Sequence, residues 1–290
     1  MKKRRIIIGL ICVFVVLLFA AGTYLFVSGR QVINTSYTFV SEKVPKQFDG
    51  FKIALITDFH NCGNYAEVAE KVRNASPDII CIAGDLVSMD TTDYSNTKEL
   101  ISRLMKIAQV YYTYGNHEYY NATYHNCDEP PIRQELDGSG VIFLNNSIRT
   151  IKRNGALINL IGYGDSIHAD GDKNDAFWQH AEPFISEIGQ SIDKKVLSVL
   201  LLHRAQYFDE VSKYPFDLVL GGHMHGGQVG IKPIQSRILK KHVSTDKYSK
   251  GEYFENGHEL IISAGCTSDD GFRLFNPPEV VSIVLKRAKQ

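Results

Sequence analysis

Two histidines separated by one residue, His223 and His225, lie in the glycine-rich stretch 221–228. The apolar run 216–220 comes directly before them and predicts a buried strand that ends at the first glycine. Both rings can point inward only if the backbone turns sharply, which the flanking glycines permit. Imidazoles at such a turn are common metal ligands. The stretch therefore predicts a metal site, and a surface turn that happens to carry two histidines is the alternative.

Four further polar clusters come directly after apolar runs that predict strands. They contain Asp58 and His60, then Asp85, then Asn116 and His117, and finally His203. In open α/β sheets the carboxyl ends of strands face one crevice, so we expect the five clusters to meet there. Carboxylate, imidazole and amide donors suit borderline divalent cations such as Mn, Fe or Zn better than calcium.

The ordered blocks D-x-H, G-D, G-N-H-E, a lone His and G-H-x-H resemble those of the calcineurin-like metallophosphoesterases. The N-terminal apolar segment and the form G-H-x-H-G-G-Q are similar to the membrane-anchored bacterial subgroup. The resemblance covers residues 58–228 and implies a four-layer α/β/β/α sandwich with two metal ions. It implies one metal on Asp58, His60 and His225, a second on Asn116, His203 and His223, Asp85 bridging both, and His117 facing the substrate.

The sequence departs from the family pattern at one position. Many relatives have Asp three residues after the bridging Asp, where it orients the motif histidine, and Ser88 stands there in this chain. Asp90 is a possible replacement partner for His117, and the sequence leaves this question open.

Two cations about 3.5–4 Å apart can clamp the attacking and the leaving oxygen of an in-line displacement at phosphorus. A bridging water, made acidic by both cations, is the expected nucleophile. His117 is expected either to stabilise the equatorial phosphate oxygens or to protonate the leaving group. A purely packing role for His117 is the alternative.

The composition is that of a folded globular protein, with 44% hydrophobic and 22% charged residues in a chain of 290. The fold class is predicted as α/β, with one catalytic domain over residues 46–290 and a linker over 28–45 that carries an edge strand at 36–40. Helices are predicted over residues 64–75, 96–108, 130–136 and 176–188.

The formal net charge is zero, and Lys2 to Arg5 supply +4, so residues 6–290 sum to −4. This balance gives no electrostatic reason to expect nucleic acid as a partner. None of the 5 cysteines forms a CxxC pair, which argues against a zinc knuckle or a disulfide scaffold. Cys62 and Cys127 could pair outside the cell, although free thiols are the preferred interpretation.

Residues 6–27 contain no charged side chain. As a helix they would extend about 33 Å, which is enough to cross a bilayer. The basic residues 2–5 precede this segment, so the positive-inside rule predicts a cytoplasmic stub at 1–5, a transmembrane anchor at 6–27 and an extracytoplasmic catalytic domain. A cleaved signal peptide is the main alternative, but no small-x-small cleavage site follows.

Residues 232–250 contain six basic side chains and one acidic one. This segment could hold an anionic substrate or lipid headgroups, and a solvated loop is the preferred alternative.

The sequence thus predicts a membrane-anchored phosphoesterase that hydrolyses phosphodiester or pyrophosphate bonds, with a lipid or a cell-envelope polymer as substrate. A phosphomonoesterase, a protein phosphatase and a non-catalytic envelope binding module are the alternatives. The oligomeric state is left open.

Overall fold

The computed structural model describes residues 2–165, 174–227, 247–267, 273 and 275–289. Within this part of the chain the helices, in order, are α1 (Lys2–Ser28), α2 (Tyr65–Ala75), α3 (Ser95–Leu104), α4 (Asn116–Tyr124), α5 (Ile132–Glu135), α6 (Asn174–Ser191) and α7 (Phe208–Val211).

The strands of the described residues form two six-stranded sheets. The first contains β1 (Ile33–Ser41), β2 (Lys52–Ile56), β3 (Ile79–Ala83), β4 (Gln109–Thr113), β5 (Ile142–Phe143) and β12 (Glu279–Arg287), in the order β1-β12-β2-β3-β4-β5. The second contains β6 (Ser147–Arg153), β7 (Ala156–Tyr163), β8 (Ser198–Leu202), β9 (Leu218–Gly221), β10 (Gly251–Glu255) and β11 (His258–Ile262), in the order β10-β11-β9-β8-β7-β6.

Parallel pairing brings the predicted functional clusters to one end of each sheet. β2, β3 and β4 are mutually parallel neighbours in the first sheet, and β8 and β9 are parallel in the second. All five strands end immediately before a predicted cluster, so their loops open on a common edge. The edge strand predicted at residues 36–40 is β1, which pairs with β12 in parallel along its whole length.

Alternating side chains of the strands fill three separate cores. In β2, Ile53 and Leu55 face the second sheet and pack in one cluster with Val199 and Leu201 of β8. This cluster holds the two sheets together, because apolar side chains from both are removed from water there.

The opposite faces of the sheets are covered by helices. Ala54 of β2 packs with Val68 of α2 and Leu100 of α3, whereas Leu200 of β8 packs with Phe177 of α6. The order of layers is therefore helix, sheet, sheet, helix, and the predicted two-sheet α/β sandwich is confirmed.

The predicted transmembrane helix over residues 6–27 lies within α1. This helix also takes in the basic residues Lys2 to Arg5 at its start. In the described part of the chain, no helix combines the length and the apolarity that crossing a bilayer requires. The spanning anchor is therefore not supported.

Candidate metal centre

The structure brings the predicted histidines and carboxylates together in three overlapping groups. Within each group, one ligand atom from every residue lies within 4.8 Å of the others. The groups are Asp58, His60 and His225; Asp85, His203 and His223; and His60, Asp85 and His117. His60 and Asp85 each belong to two groups, so the three form one continuous cluster.

Short distances between imidazole nitrogens and carboxylate oxygens define the cluster. Nε2 of His225 lies 3.4 Å from Oδ1 of Asp58, and Nε2 of His203 lies 3.0 Å from Oδ2 of Asp85. Nε2 of His60 lies 3.9 Å from the same Asp85 oxygen. The carboxylates of Asp58 and Asp85 are buried, and buried charges are tolerated where they are paired or coordinate a cation.

Asn116 is the first residue of α4 and stands directly beside this cluster. A Cβ added to the preceding residue, Gly115, would lie 2.2 Å from Oδ1 of Asp85. The buried Oδ1 of Asn116 accepts no hydrogen bond within the described part of the chain. A buried amide oxygen without a partner is costly, and a cation is the kind of ligand that would satisfy it. The donors present thus fit a divalent metal.

His203 is oriented as a metal-binding histidine requires. Its Nδ1 lies 2.8 Å from the carbonyl oxygen of Ala83. Because a carbonyl can only accept, Nδ1 carries the proton and donates it. Nε2, which faces Asp85, is then the nitrogen that can bind a metal.

Several ligand residues adopt a backbone conformation that is uncommon outside glycine. Positive φ angles occur at Asp58 (50°), His60 (53°), Asp85 (52°), His223 (74°) and His225 (49°). Such left-handed residues are sparse in proteins and concentrate at functional sites, where the surrounding structure holds them. They direct side chains from the loops after β2, β3 and β9 into one small volume.

The charges of the cluster shift the pKa values of its members. Burial alone would raise the pKa of Asp85, but His203 and then His117 hold it well below its usual range. Burial opposes a charge on His203, yet the Asp85 carboxylate outweighs it and raises the pKa to about 10. Burial, followed by the positive charge of His203, holds the pKa of His223 well below its usual range. A cation that binds at His203 therefore displaces a proton.

Glu118, the last residue of the G-N-H-E block, has a role that the sequence analysis did not assign. It is fully buried, and its carboxylate accepts hydrogen bonds from the backbone N–H groups of Gly115 (2.7 Å) and Leu86 (2.6 Å). The Tyr112 hydroxyl donates to it at 2.7 Å. Burial and then the charge of Asp85 raise its pKa. Glu118 thus ties the end of β3 to the start of α4.

Arg273 and Asn276, which follow β11 in the sequence, support the turn at His225. Neither residue belongs to a motif that the sequence revealed. Nη2 of Arg273 lies 3.3 Å from Nδ1 of His225, and Nη1 donates to the carbonyl of Ala264 at 2.9 Å. Nδ2 of Asn276 donates to the carbonyl of His225 at 2.7 Å. A buried guanidinium therefore adds positive charge beside the cluster.

The sequence left open whether Asp90 is the hydrogen-bond partner of His117. In the structure the partner is a backbone N–H group. Asp90 is exposed, and no hydrogen bond joins its side chain to His117 among the described residues. The backbone N–H of Met89 instead donates to Nδ1 of His117 at 3.2 Å. The hydroxyl of Ser88 donates to the carbonyl oxygen of His60 at 3.3 Å.

Two further predictions concern the cysteines and the basic segment 232–250. Cys62 is buried and Cys127 is exposed, and no disulfide joins them in the described part of the chain. Gln228 and most of the basic segment 232–250 lie outside the described residues.

Comparison with known proteins agrees with this geometry. The calcineurin-like phosphoesterase family profile matches residues 51–227. An uncharacterized metallophosphoesterase of Campylobacter jejuni is 27% identical, over 86% of this chain and 63% of its own length. An uncharacterized metallophosphoesterase of Aquifex aeolicus is 28% identical, over 86% of this chain and 90% of its own length.

A further relative carries a more specific name. The phosphodiesterase YaeI of Escherichia coli is 26% identical, over 72% of this chain and 70% of its own length. The match to the Campylobacter relative covers less than two thirds of that relative's own length. Because the family profile covers well over half of the sequence, the chain belongs to the calcineurin-like phosphoesterases, a family of metal-dependent hydrolases of phosphate esters.

Proposed function

We propose that this protein hydrolyses phosphodiester or pyrophosphate bonds with two divalent cations. The observation that carries the proposal is the position of Asp85, which belongs to the His203/His223 group and also to the His60 group. A carboxylate shared in this way is the arrangement expected of a ligand that bridges two metals.

In this proposal the two cations have separate ligand sets. One is held by Asp58, His60 and His225, whose ligand atoms form one of the compact groups. The other would be held by His203 and His223, together with Oδ1 of Asn116, which accepts no hydrogen bond from the described residues. The donor chemistry favours Mn, Fe or Zn.

When bound, the cations supply an activated water and neutralise charge that develops on the phosphoryl oxygens. The chain's own residues position the components. The Ala83 carbonyl fixes the ring of His203, and the backbone N–H of His223 donates to Oδ1 of Asp58 at 3.1 Å. The backbone N–H of His117 donates to Oδ1 of Asp85 at 2.9 Å. These contacts hold the ligands before substrate arrives, which limits reorganisation during reaction.

We propose a lipid or a cell-envelope polymer as the substrate, and a membrane surface outside the cytoplasm as the location. The support is the part of α1 over residues 6–19, where the large apolar side chains are exposed, including Ile6 (62%), Leu10 (66%), Phe14 (61%) and Phe19 (78%). Such a surface favours an apolar environment. The diester specificity is supported by the likeness to a relative named as a phosphodiesterase.

One set of assays tests the activity. The purified chain, supplied with Mn, Fe or Zn, is given nitrophenyl phosphodiesters, nitrophenyl phosphate and lipid extracts. Hydrolysis of diesters with little monoester cleavage is expected. Cleavage of monoesters only would support a phosphomonoesterase, and no hydrolysis by a fully metal-loaded protein would support a binding module. Cell fractionation and protease accessibility test the location.

A further inference from the structure

Tyr120 lies on the same face of α4 as His117. The two residues are three positions apart, the spacing at which side chains of a helix are neighbours. Their rings meet edge to face, with 6.1 Å between centroids. Because His117 belongs to the group with His60 and Asp85, the partly buried ring of Tyr120 lies beside the metal cluster.

A guanidinium lies next to the Tyr120 hydroxyl. Arg204 comes directly after the metal-binding residue His203, and its guanidinium forms a hydrogen bond with the Tyr120 side chain. A guanidinium can only donate, so the phenol oxygen accepts in this bond. The hydroxyl can still donate its own hydrogen, because a phenol is both donor and acceptor.

The position of Arg204 is set by several contacts. Its Nε donates to Oδ2 of Asp165 at 2.5 Å, and both residues are buried, with exposures of 5% and 0%. The guanidinium carbon lies 5.4 Å from the centre of the Phe177 ring. The N–H of Asp165 donates to the carbonyl of Tyr114 at 3.2 Å, directly after β4. The ion pair therefore has a fixed place in the fold.

Arg204 also lies close to the second group of metal-binding residues. Burial and then the charge of His203 lower the pKa of His223, and the charge of Arg204 adds to this effect. Tyr120 thus extends from His117 towards the side of the cluster that holds His203 and His223. A site with two divalent cations and a nearby guanidinium favours an anionic ligand.

We propose that Tyr120 binds the substrate by donating its hydroxyl hydrogen to a non-bridging phosphoryl oxygen, and that Arg204, held by Asp165, positions this hydroxyl. This inference rests on the proposed function. The phenol keeps its proton throughout, so the contact serves binding and transfers nothing. A hydrogen bond accepted from a cation strengthens the bond that the same hydroxyl donates.

The first test measures binding and needs no turnover. The full chain is loaded with Zn, and its affinity for inorganic phosphate is measured by titration calorimetry in the wild type and in Tyr120→Phe. We expect the variant to bind phosphate about tenfold more weakly, as for loss of one hydrogen bond to a charged group, with an unchanged Zn content. Equal affinities, or a wild type that binds no phosphate, would overturn the proposal. A lower Zn content in Tyr120→Phe would also overturn it, because Tyr120 would then act through the metal ligands.

Tyr124→Phe is the matched control. Tyr124 lies one turn further along α4 and is 60% exposed, and its variant is expected to bind phosphate as the wild type does. An equal loss in both variants would show a general effect of changing α4 and would contradict a contact specific to Tyr120.

The role of Arg204 is tested by a double substitution. Arg204→Lys keeps the positive charge but loses the planar fork that reaches Asp165 and Tyr120 together. It is expected to weaken phosphate binding on its own and to add little to Tyr120→Phe, because coupled residues are not additive. Fully additive losses would show that Arg204 does not act through Tyr120. If Arg204→Lys does not fold, Tyr120→Phe, which keeps the Arg204–Asp165 pair, still decides whether Tyr120 binds the substrate.

The kinetic test separates this inference from the proposed function. On a nitrophenyl phosphodiester, Tyr120→Phe is expected to raise KM with little change in kcat, since the contact is present before reaction. A fall in kcat at unchanged KM would contradict a binding role. If the wild type hydrolyses no ester, the proposed function fails, whereas the phosphate titration still tests Tyr120.

Discussion

The carboxylate of Glu118 accepts a hydrogen bond from the backbone N–H of Asp85 at 3.0 Å. The two residues belong to different motif blocks and to the ends of neighbouring strands. A buried carboxylate that holds the backbone of a metal-binding carboxylate couples the stability of the fold to the geometry of the cluster.

Replacing Glu118 with Ala is expected to destabilise the protein by roughly 3 kcal/mol, because several buried N–H groups lose their acceptor at once. Thermal unfolding followed by circular dichroism measures this effect. Glu70→Ala is the matched control, since Glu70 is exposed on α2. An unchanged melting temperature in Glu118→Ala would show that the hydrogen bonds around Glu118 contribute little.

Gly222 packs closely against Thr57 and the metal-binding residue Asp58. A Cβ at this position would lie 2.3 Å from Oδ2 of Asp58 and 2.6 Å from the Thr57 side chain. Gly222→Ala must therefore displace the Asp58 carboxylate, and we expect metal affinity to fall by about tenfold or more, as when a metal ligand loses its orientation. Competition with a chelator measures the affinity.

Gly63→Ala is the control for that substitution, because a Cβ at Gly63 meets no heavy atom within 4 Å. It is expected to bind metal as the wild type does. Equal affinities in the two variants would contradict the close packing of Gly222 against Asp58.

The ionisation of Glu259 is expected to make the stability of the fold depend on pH. This residue is not part of the metal cluster. Burial, followed by the nearby Glu252, raises the pKa of Glu259 to about 8 from an ordinary value of 4.5. The folded state then binds more protons than the unfolded state between these values, so the free energy of unfolding falls as pH rises through that window. Above pH 8 the full cost of the buried charge is present.

Glu259→Gln removes this cost. At pH 9 it is expected to be more stable than the wild type by at least about 1 kcal/mol, the equivalent of one pKa unit, and the difference should shrink towards pH 5. Unfolding curves at several pH values check this, with Glu70→Gln as the exposed control. A constant difference between variant and wild type at all pH values would exclude an effect of Glu259 ionisation.

Features that depend on regular patterns were predictable from the sequence. Continuous apolar runs identified β2, β3, β4 and β8, and Val68, Ala69 and Val72 repeat at helical spacing in α2. The clusters at strand ends followed from the same runs, because parallel strands present their carboxyl ends to one edge.

Features that depend on tertiary contacts were not predictable in this way. α4 has no apolar stripe, and part of its stability comes from the Glu118 carboxylate bonded to the Gly115 N–H. The donor to His117 is a backbone N–H, which any residue at position 89 other than proline would supply. Arg273 reaches His225 across 48 positions of sequence. Amino-acid types carry little information about contacts of these kinds.

We propose that one shared carboxylate, Asp85, assembles two metals for hydrolysis. The most direct measurement is the metal content of the purified chain together with its hydrolysis of a nitrophenyl phosphodiester, in the wild type, in Asp85→Asn and in the exposed control Asp90→Asn. We expect two metal equivalents and activity in the wild type and in Asp90→Asn, and loss of both in a folded Asp85→Asn. Full activity in a folded, metal-depleted Asp85→Asn protein would contradict the account.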